Sequence, residues 1–317
     1  MARPMWFVEL IKWSYPARFF LSKLTRKSTF FRRLIDHLMF EGDEIYYLPK
    51  DSVLINGAPP QTETVMVLPG EVRQAAVIGK EAPAGLPDAP VTSHSLVMIK
   101  ERIEKPEDLI LPSQVLDHFI EKASALWIMD HCLCRDSKDC KDYPIDLGCL
   151  FMGEAVHGIN PRLGHLATKA EARAHLERAR QAGLIHMIGR NKLDTLWMGV
   201  QPGDHLLTVC NCCPCCCLFQ VAPQLAPEIG RKISRMPGVT VEVNPEVCIG
   251  CGTCEESKVC FADAIHVVDG IAQISPDCRG CGRCVETCPA EAITLTVSND
   301  AYIQETIHRI EGKVDVT

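Results

Sequence analysis

The chain has 317 residues, 47% of them hydrophobic and 23% charged, which suits a soluble protein able to bury two or three compact units. Its formal charge of −7 argues against a nucleic-acid binder, which would carry a basic face. The 18 cysteines exceed ordinary usage, and disulfide scaffolds of that density are short and secreted, so thiols holding metal in a reducing compartment are the expectation.

Residues 1–40 differ from everything after them. They hold nine of the nineteen aromatic residues and a net charge of +6, which leaves −13 on the rest of the chain. No apolar core with a small-residue cleavage site is present, and no run reaches the ~18 apolar residues of a spanning helix. A cytoplasmic protein is expected. Interleaved aromatic and basic residues suit an amphipathic segment lying on the inner face of an anionic membrane. Two short helices packing those aromatics onto the protein, or onto a partner, fit equally well.

Residues 41–110 are rich in Pro and Gly, with short alternating runs such as "EIYYLP" and "SVLING". They read as a small irregular β-rich unit with turns at Asn56-Gly57 and Pro69-Gly70 and an exposed loop over 79–90. No chemistry attaches to it.

A cysteine-rich α/β region is expected over 111–237. Ser113 caps a predicted helix through "QVLDHFIEKASALWIM", with Val115, Phe119 and Leu126 inward. Thr168 and Glu171 form a capping box for a helix ending near Gly183, its packing face carrying Ala170, Ala174, Leu176 and Ala179. Strand-like "GLIHMIG" and "HLLTV" follow. Ten cysteines lie in two loops of this region: Cys132, Cys134, Cys140 and Cys149 in one, and Cys210, Cys212, Cys213, Cys215, Cys216 and Cys217 in the other. In extended chain Cys210 and Cys212 share a face, as do Cys132 and Cys134, while Pro214 turns the chain and re-aims the thiols beyond it. The two loops are expected to enclose at least one further iron–sulfur cluster. Zinc needs only four of the ten ligands, and a vicinal dithiol explains one pair; both remain as alternatives. His131 adjoins Cys132 and is either a ligand or a structural histidine.

In the last segment, 238–317, the pattern C-x-G-C-G-x-C occurs at Cys248, Cys251, Cys254 and again at Cys278, Cys281, Cys284, an offset of thirty. Each run precedes an Ala-Ile pair ("FADAI", "PAEAI"), so two pseudo-symmetric halves are expected. Glycines let the backbone approach a cluster and aim N–H groups at its sulfur. Over about 238–297 the segment resembles the bacterial two-cluster ferredoxins, whose spacing is C-x2-C-x2-C-x3-C-P. The resemblance implies a (β-α-β)2 domain, followed here by a C-terminal helix, with two [4Fe-4S] clusters. Cys248, Cys251, Cys254 and Cys288 would hold one, and Cys278, Cys281, Cys284 and Cys260 the other. Two departures stand out: five residues, not three, separate Cys254 from Cys260, and Phe261 occupies the usual proline position.

The fold class is thus α+β. The leading expectation is a multi-cluster electron-transfer protein delivering low-potential electrons to a redox protein or oxidoreductase complex. An iron–sulfur reductase with an open-coordination cluster in its N-terminal half is the alternative, and a cluster carrier is the third. No dinucleotide fingerprint, P-loop or nucleophile–base set is present.

Overall fold

A computed structural model describes residues 2–57, 111–297 and 301–317. The described residues mix helices with three sheets. The largest has seven strands: β1 (Glu44–Tyr47), β2 (Leu126–Met129), β3 (Leu150–Met152), β4 (Gly164–Ala167), β5 (Ile185–Arg190), β6 (Leu207–Cys212) and β7 (Ile233–Arg235). Their order is β4-β2-β3-β6-β5-β1-β7, antiparallel except for the β1–β7 pair.

Strand alternation sorts the side chains into two cores. Leu126, Ile128, Leu150, Met152, Ile188, Leu207 and Val209 face the helices Ser113–Lys122, Lys169–Gln181 and Tyr302–Glu311. Phe119 is fully buried there, worth about 1.5–3 kcal/mol by apolar burial. On the opposite face Ile45, Tyr47 and Met187 pack with Cys212 and Cys217, while Trp127, Met129 and Phe151 pack with Val8. That second face carries Cys210 and Cys212 of β6, while Cys248, Cys254, Cys284 and Cys288 pack with the first core.

Residues 1–40 form the helices Met5–Ser14, Arg18–Lys27 and Thr29–Ile35, joined by tight turns. They divide their apolar residues between two sides. Val8, Tyr15, Ile35 and Phe40 point inward and are buried, and Thr25 Oγ1 accepts from Ala226 N at 2.9 Å. Trp6, Trp13, Phe20 and Phe30 point outward, each at least 67% exposed. No helix among the described residues is long and apolar enough to cross a membrane.

Several local expectations need correction. Ser52–Gly57 belongs to a helix, Asp51–Gly57, not to a β segment with a turn. Ser113 does not cap its helix through its side chain; instead its backbone N–H donates to Asp51 Oδ1 at 3.1 Å. The helix stops at Lys122, and Leu126 begins β2, because fully buried "LWIM" is worth more as an inner strand. In the helix Lys169–Gln181 the capping box is present, but Ala170 and Ala174 are exposed, and Ala172, His175, Leu176 and Ala179 form the buried face. The expected Pro69-Gly70 turn and 79–90 loop lie outside the described residues.

The C-terminal segment is built as strand, cysteine loop, short helix and strand, twice. β8 (Val239–Val243) leads through the helix Thr253–Glu256 to β9 (Ile265–Val268), and β10 (Ile271–Ile274) through the helix Arg283–Thr287 to β11 (Ile293–Val297). β9 pairs with β10, and β8 with β11, both antiparallel.

Candidate metal centres

The repeat places corresponding backbone donors on corresponding sulfurs. Ala264 N–H donates to Cys260 Sγ at 3.3 Å, and Ala292 N–H donates to Cys288 Sγ at 3.4 Å. These are the second alanines of "FADAI" and "PAEAI", each preceded by a residue of positive φ, Asp263 and Glu291. Ala272 N–H reaches Cys248 Sγ at 3.5 Å and Gly280 N–H reaches Cys278 Sγ at 3.4 Å. A hydrogen bond to sulfur favours its thiolate form. Cys248, Cys251, Cys254 and Cys288 line one small cavity of about 10 Å³, with Cys251 exposed. Cys260, Cys278, Cys281 and Cys284 are neighbours in a more buried group, where burial raises the Cys284 thiol and the other three add to it.

Glycine supplies the backbone freedom these loops need. Gly282 sits at φ +81°, and a Cβ there would approach Val53 Cγ2 to 2.9 Å. Gly282→Ala is therefore expected to cost about 1–2 kcal/mol from the left-handed backbone alone, read as a lowered denaturation midpoint of the metal-loaded protein.

The ten N-terminal thiols do not form one group. Cys210 and Cys212 lie on β6, and the turn at Pro214 separates their neighbours. Cys213, Cys215 and Cys216 come together with Cys140. Cys217 returns to β6, its Sγ 3.4 Å from Cys212 Sγ. Cys149 Sγ lies 3.7 Å from Cys210 Sγ. Cys132 and Cys134 complete this second set, although not as an extended pair, because Cys134 is already in the helix Leu133–Asp136. Cys132, Cys134, Cys149, Cys210, Cys212 and Cys217 line a cavity of about 110 Å³ that Ile11 and Tyr15 also line, and Cys213, a member of the first set, borders it as well. Tyr15 OH donates to Cys216 O at 2.7 Å. His131 is exposed and belongs to neither set.

Two arginines invisible to motif reading stand between these groups. Arg135 is fully buried and donates to Asn211 O at 2.6 Å and to Leu147 O. Arg283 is 6% exposed and donates to Cys212 O at 2.7 Å. Neither pairs with a carboxylate among the described residues, and the Nε of each is buried without a hydrogen-bond partner there. A buried charge needs an opposite charge. Burial pulls the Arg135 guanidinium down, but Cys132, Cys213, Cys149 and Cys212 outweigh that and hold it above its ordinary range. The counter-charge on offer is thiolate. Burial opposes ionisation, pushing Cys281 up to about 11 and Cys216 up to about 12. Hydrogen bonding from neighbouring thiols instead draws Cys132 down to about 7 and Cys212 well below the ordinary range, so only part of the thiol set ionises readily by itself. Metal resolves the conflict, since a coordinating thiol is deprotonated outright. The donor set therefore fits thiolate-bound iron, or zinc, at these positions.

An aromatic pair links the two halves of the molecule. Tyr47 and Phe261 stack with ring centroids 4.5 Å apart. Tyr47 OH lies 3.9 Å from Cys217 Sγ, and Phe261 follows Cys260 in the chain. Cys210, Cys212 and Cys217 share one packed apolar cluster with Cys260, Cys278 and Cys281. Phe261, odd against the ferredoxin pattern, thus has a physical role: it is buried and fills the space between two thiol groups.

Residues 272–294 match the family of 4Fe-4S binding domains. The chain is 38% identical over 69 residues to a subunit of the Na(+)-translocating ferredoxin:NAD(+) oxidoreductase complex of Acetobacterium woodii, covering 21% of this chain and 20% of the relative. It is 49% identical over 49 residues to a subunit of the ion-translocating oxidoreductase complex of Methanosarcina acetivorans, covering 15% of this chain and 18% of the relative. The chain thus spans about a fifth of the length of these relatives. No solved structure gives a significant match. A ferredoxin-like iron–sulfur segment stands; the N-terminal thiols lie well outside the matched family segment.

Proposed function

We propose that the chain is a multi-cluster iron–sulfur electron-transfer protein that serves an oxidoreductase complex. Two [4Fe-4S] clusters are assigned to Cys248, Cys251, Cys254, Cys288 and to Cys260, Cys278, Cys281, Cys284. A further iron–sulfur centre is assigned to the six thiols Cys132, Cys134, Cys149, Cys210, Cys212 and Cys217. Iron–sulfur centres supply one-electron transfer over a wide range of potentials. The chain's contribution is to bury, space and charge-balance them.

The observation that carries this reading is the continuity from Cys251 inward. Cys251 and the 70% exposed Ile249 present the first thiol group at the surface. The second group lies deeper, and the Tyr47–Phe261 stack spans from it to the six-thiol cavity. Partial similarity to subunits of ion-translocating oxidoreductase complexes supports a redox complex as partner. The test is a potentiometric titration of the anaerobically purified full chain, followed by paramagnetic resonance. Three reducible centres with mutual spin coupling are expected. Two centres, both lost when the C-terminal cysteines are replaced, would sink the reading.

A second reading has its own observation. The six-thiol cavity holds about 110 Å³, against about 10 Å³ at the Cys248 group. Asp194 also lines it, and burial raises its carboxyl despite bonds from Trp197, Thr208 and Asn191. Room of that kind suits a reductase site that admits a small substrate beside the cluster, reached by titrating candidate ligands against the cluster's spectrum.

Residues 1–40 are proposed to rest on an anionic membrane through Trp6, Trp13, Phe20 and Phe30. Truncating the segment would break its buried contacts, so the clean test keeps the full chain. Replacing those four aromatics with serine is expected to weaken flotation with phosphatidylserine vesicles by roughly tenfold or more. Unchanged flotation would point to a protein partner on this face.

A further inference from the structure

Four of the ten N-terminal thiols are arranged unlike any other potential ligand group among the described residues. The Sγ atoms of Cys140, Cys213, Cys215 and Cys216 all lie within 4.8 Å of one another. Cys215 Sγ is 3.6 Å from Cys140 Sγ and 3.5 Å from Cys216 Sγ. A single ion bound to four thiolates at about 2.3 Å in a tetrahedron sets its sulfurs about 3.8 Å apart. Close pairs occur in the larger cavity too, but a cubane does not draw all four of its thiolates together in this way, because each caps a separate iron and points away from the cluster body. The molecule carries its own control: the eight C-terminal cysteines, in their ferredoxin-like motif, include no such tight group.

We propose that Cys140, Cys213, Cys215 and Cys216 bind one zinc ion in a closed tetrathiolate site, separate from the iron–sulfur chemistry. Cys140, Cys213 and Cys216 are buried, and all four positions of the tetrahedron are filled by protein sulfur, the mark of a structural site. The ion joins two loops far apart in sequence, the one holding Cys140 and the turn at Pro214. Each loop also supplies three further thiols to the larger cavity, Cys132, Cys134 and Cys149 from one and Cys210, Cys212 and Cys217 from the other, and Cys213 borders both sites. Zinc therefore works as a clamp that fixes these two half-sites against each other. It takes no electron, so it sits beside the relay without interrupting it. The proposal stands whether or not the larger cavity holds iron.

The test is elemental analysis and zinc-edge X-ray absorption on the anaerobically purified full chain. One zinc per chain is expected, with four sulfur neighbours at about 2.3 Å and no iron scatterer nearby. Cys140→Ser and Cys215→Ser are each expected to lower bound zinc at least roughly tenfold while the visible spectrum of the C-terminal clusters persists. The absorption measurement on the unaltered chain decides the matter even if both variants fold poorly. Absence of zinc, iron at the site, or iron neighbours around the zinc would each overturn the proposal.

Discussion

Replacing Arg135 with leucine is expected to strip metal from the six-thiol cavity and to destabilise the protein by about 3–5 kcal/mol, the usual cost of removing one partner from a buried ionic group. The side chain is completely buried, satisfies two backbone carbonyls, and has only sulfur to balance its charge. Leucine would leave several thiolates together without a cation and orphan the carbonyls of Asn211 and Leu147. Anaerobic denaturant unfolding, with iron counted before and after, measures both effects. Arg135→Lys keeps the charge but loses the forked donor. It is expected to retain the metal at reduced stability. Full stability and full metal content in the leucine variant would mean that the surrounding thiols are neutral, and the charge argument would fail.

Cys212→Ala is expected to remove all iron beyond about eight atoms per chain, the content of two [4Fe-4S] clusters. Cys212 shares its strand face with Cys210 and touches Cys217, and hydrogen bonding with those two thiols, followed by the charges of Arg135 and Arg283, draws its thiol well below the ordinary range. The paramagnetic signals of the C-terminal centres should survive the change. A parent protein that already holds only about eight irons would show that the cavity binds no cluster.

The C-terminal cysteines could be grouped from sequence because their spacing is local: a glycine-punctuated loop brings three sulfurs together within seven residues. The N-terminal thiols could not. Ten thiols taken as one site exceed what a zinc ion needs, but the turn at Pro214 sends Cys213, Cys215 and Cys216 one way and returns Cys217 to Cys212. Sorting of that kind depends on a loop some 75 residues away, which periodicity does not encode. Arg135 was equally hidden. An arginine in "CLCRDS" reads as an ordinary surface charge, and only burial without a carboxylate reveals its purpose. The capping box at Thr168 was legible because both of its hydrogen bonds lie within four residues, while the end of the helix at Lys122 was not, since the sheet decides it. Phe261 was visible as an exception to a pattern, but its partner Tyr47 lies in a strand that carries no motif.

Tyr15 and Ile11 line the six-thiol cavity, and Tyr15 is latched to the backbone of Cys216. Through that bond the first helices hold the backbone of a turn that bears three of the thiols, so the seating of the N-terminal helices and the geometry of the thiol-bearing turn are set together.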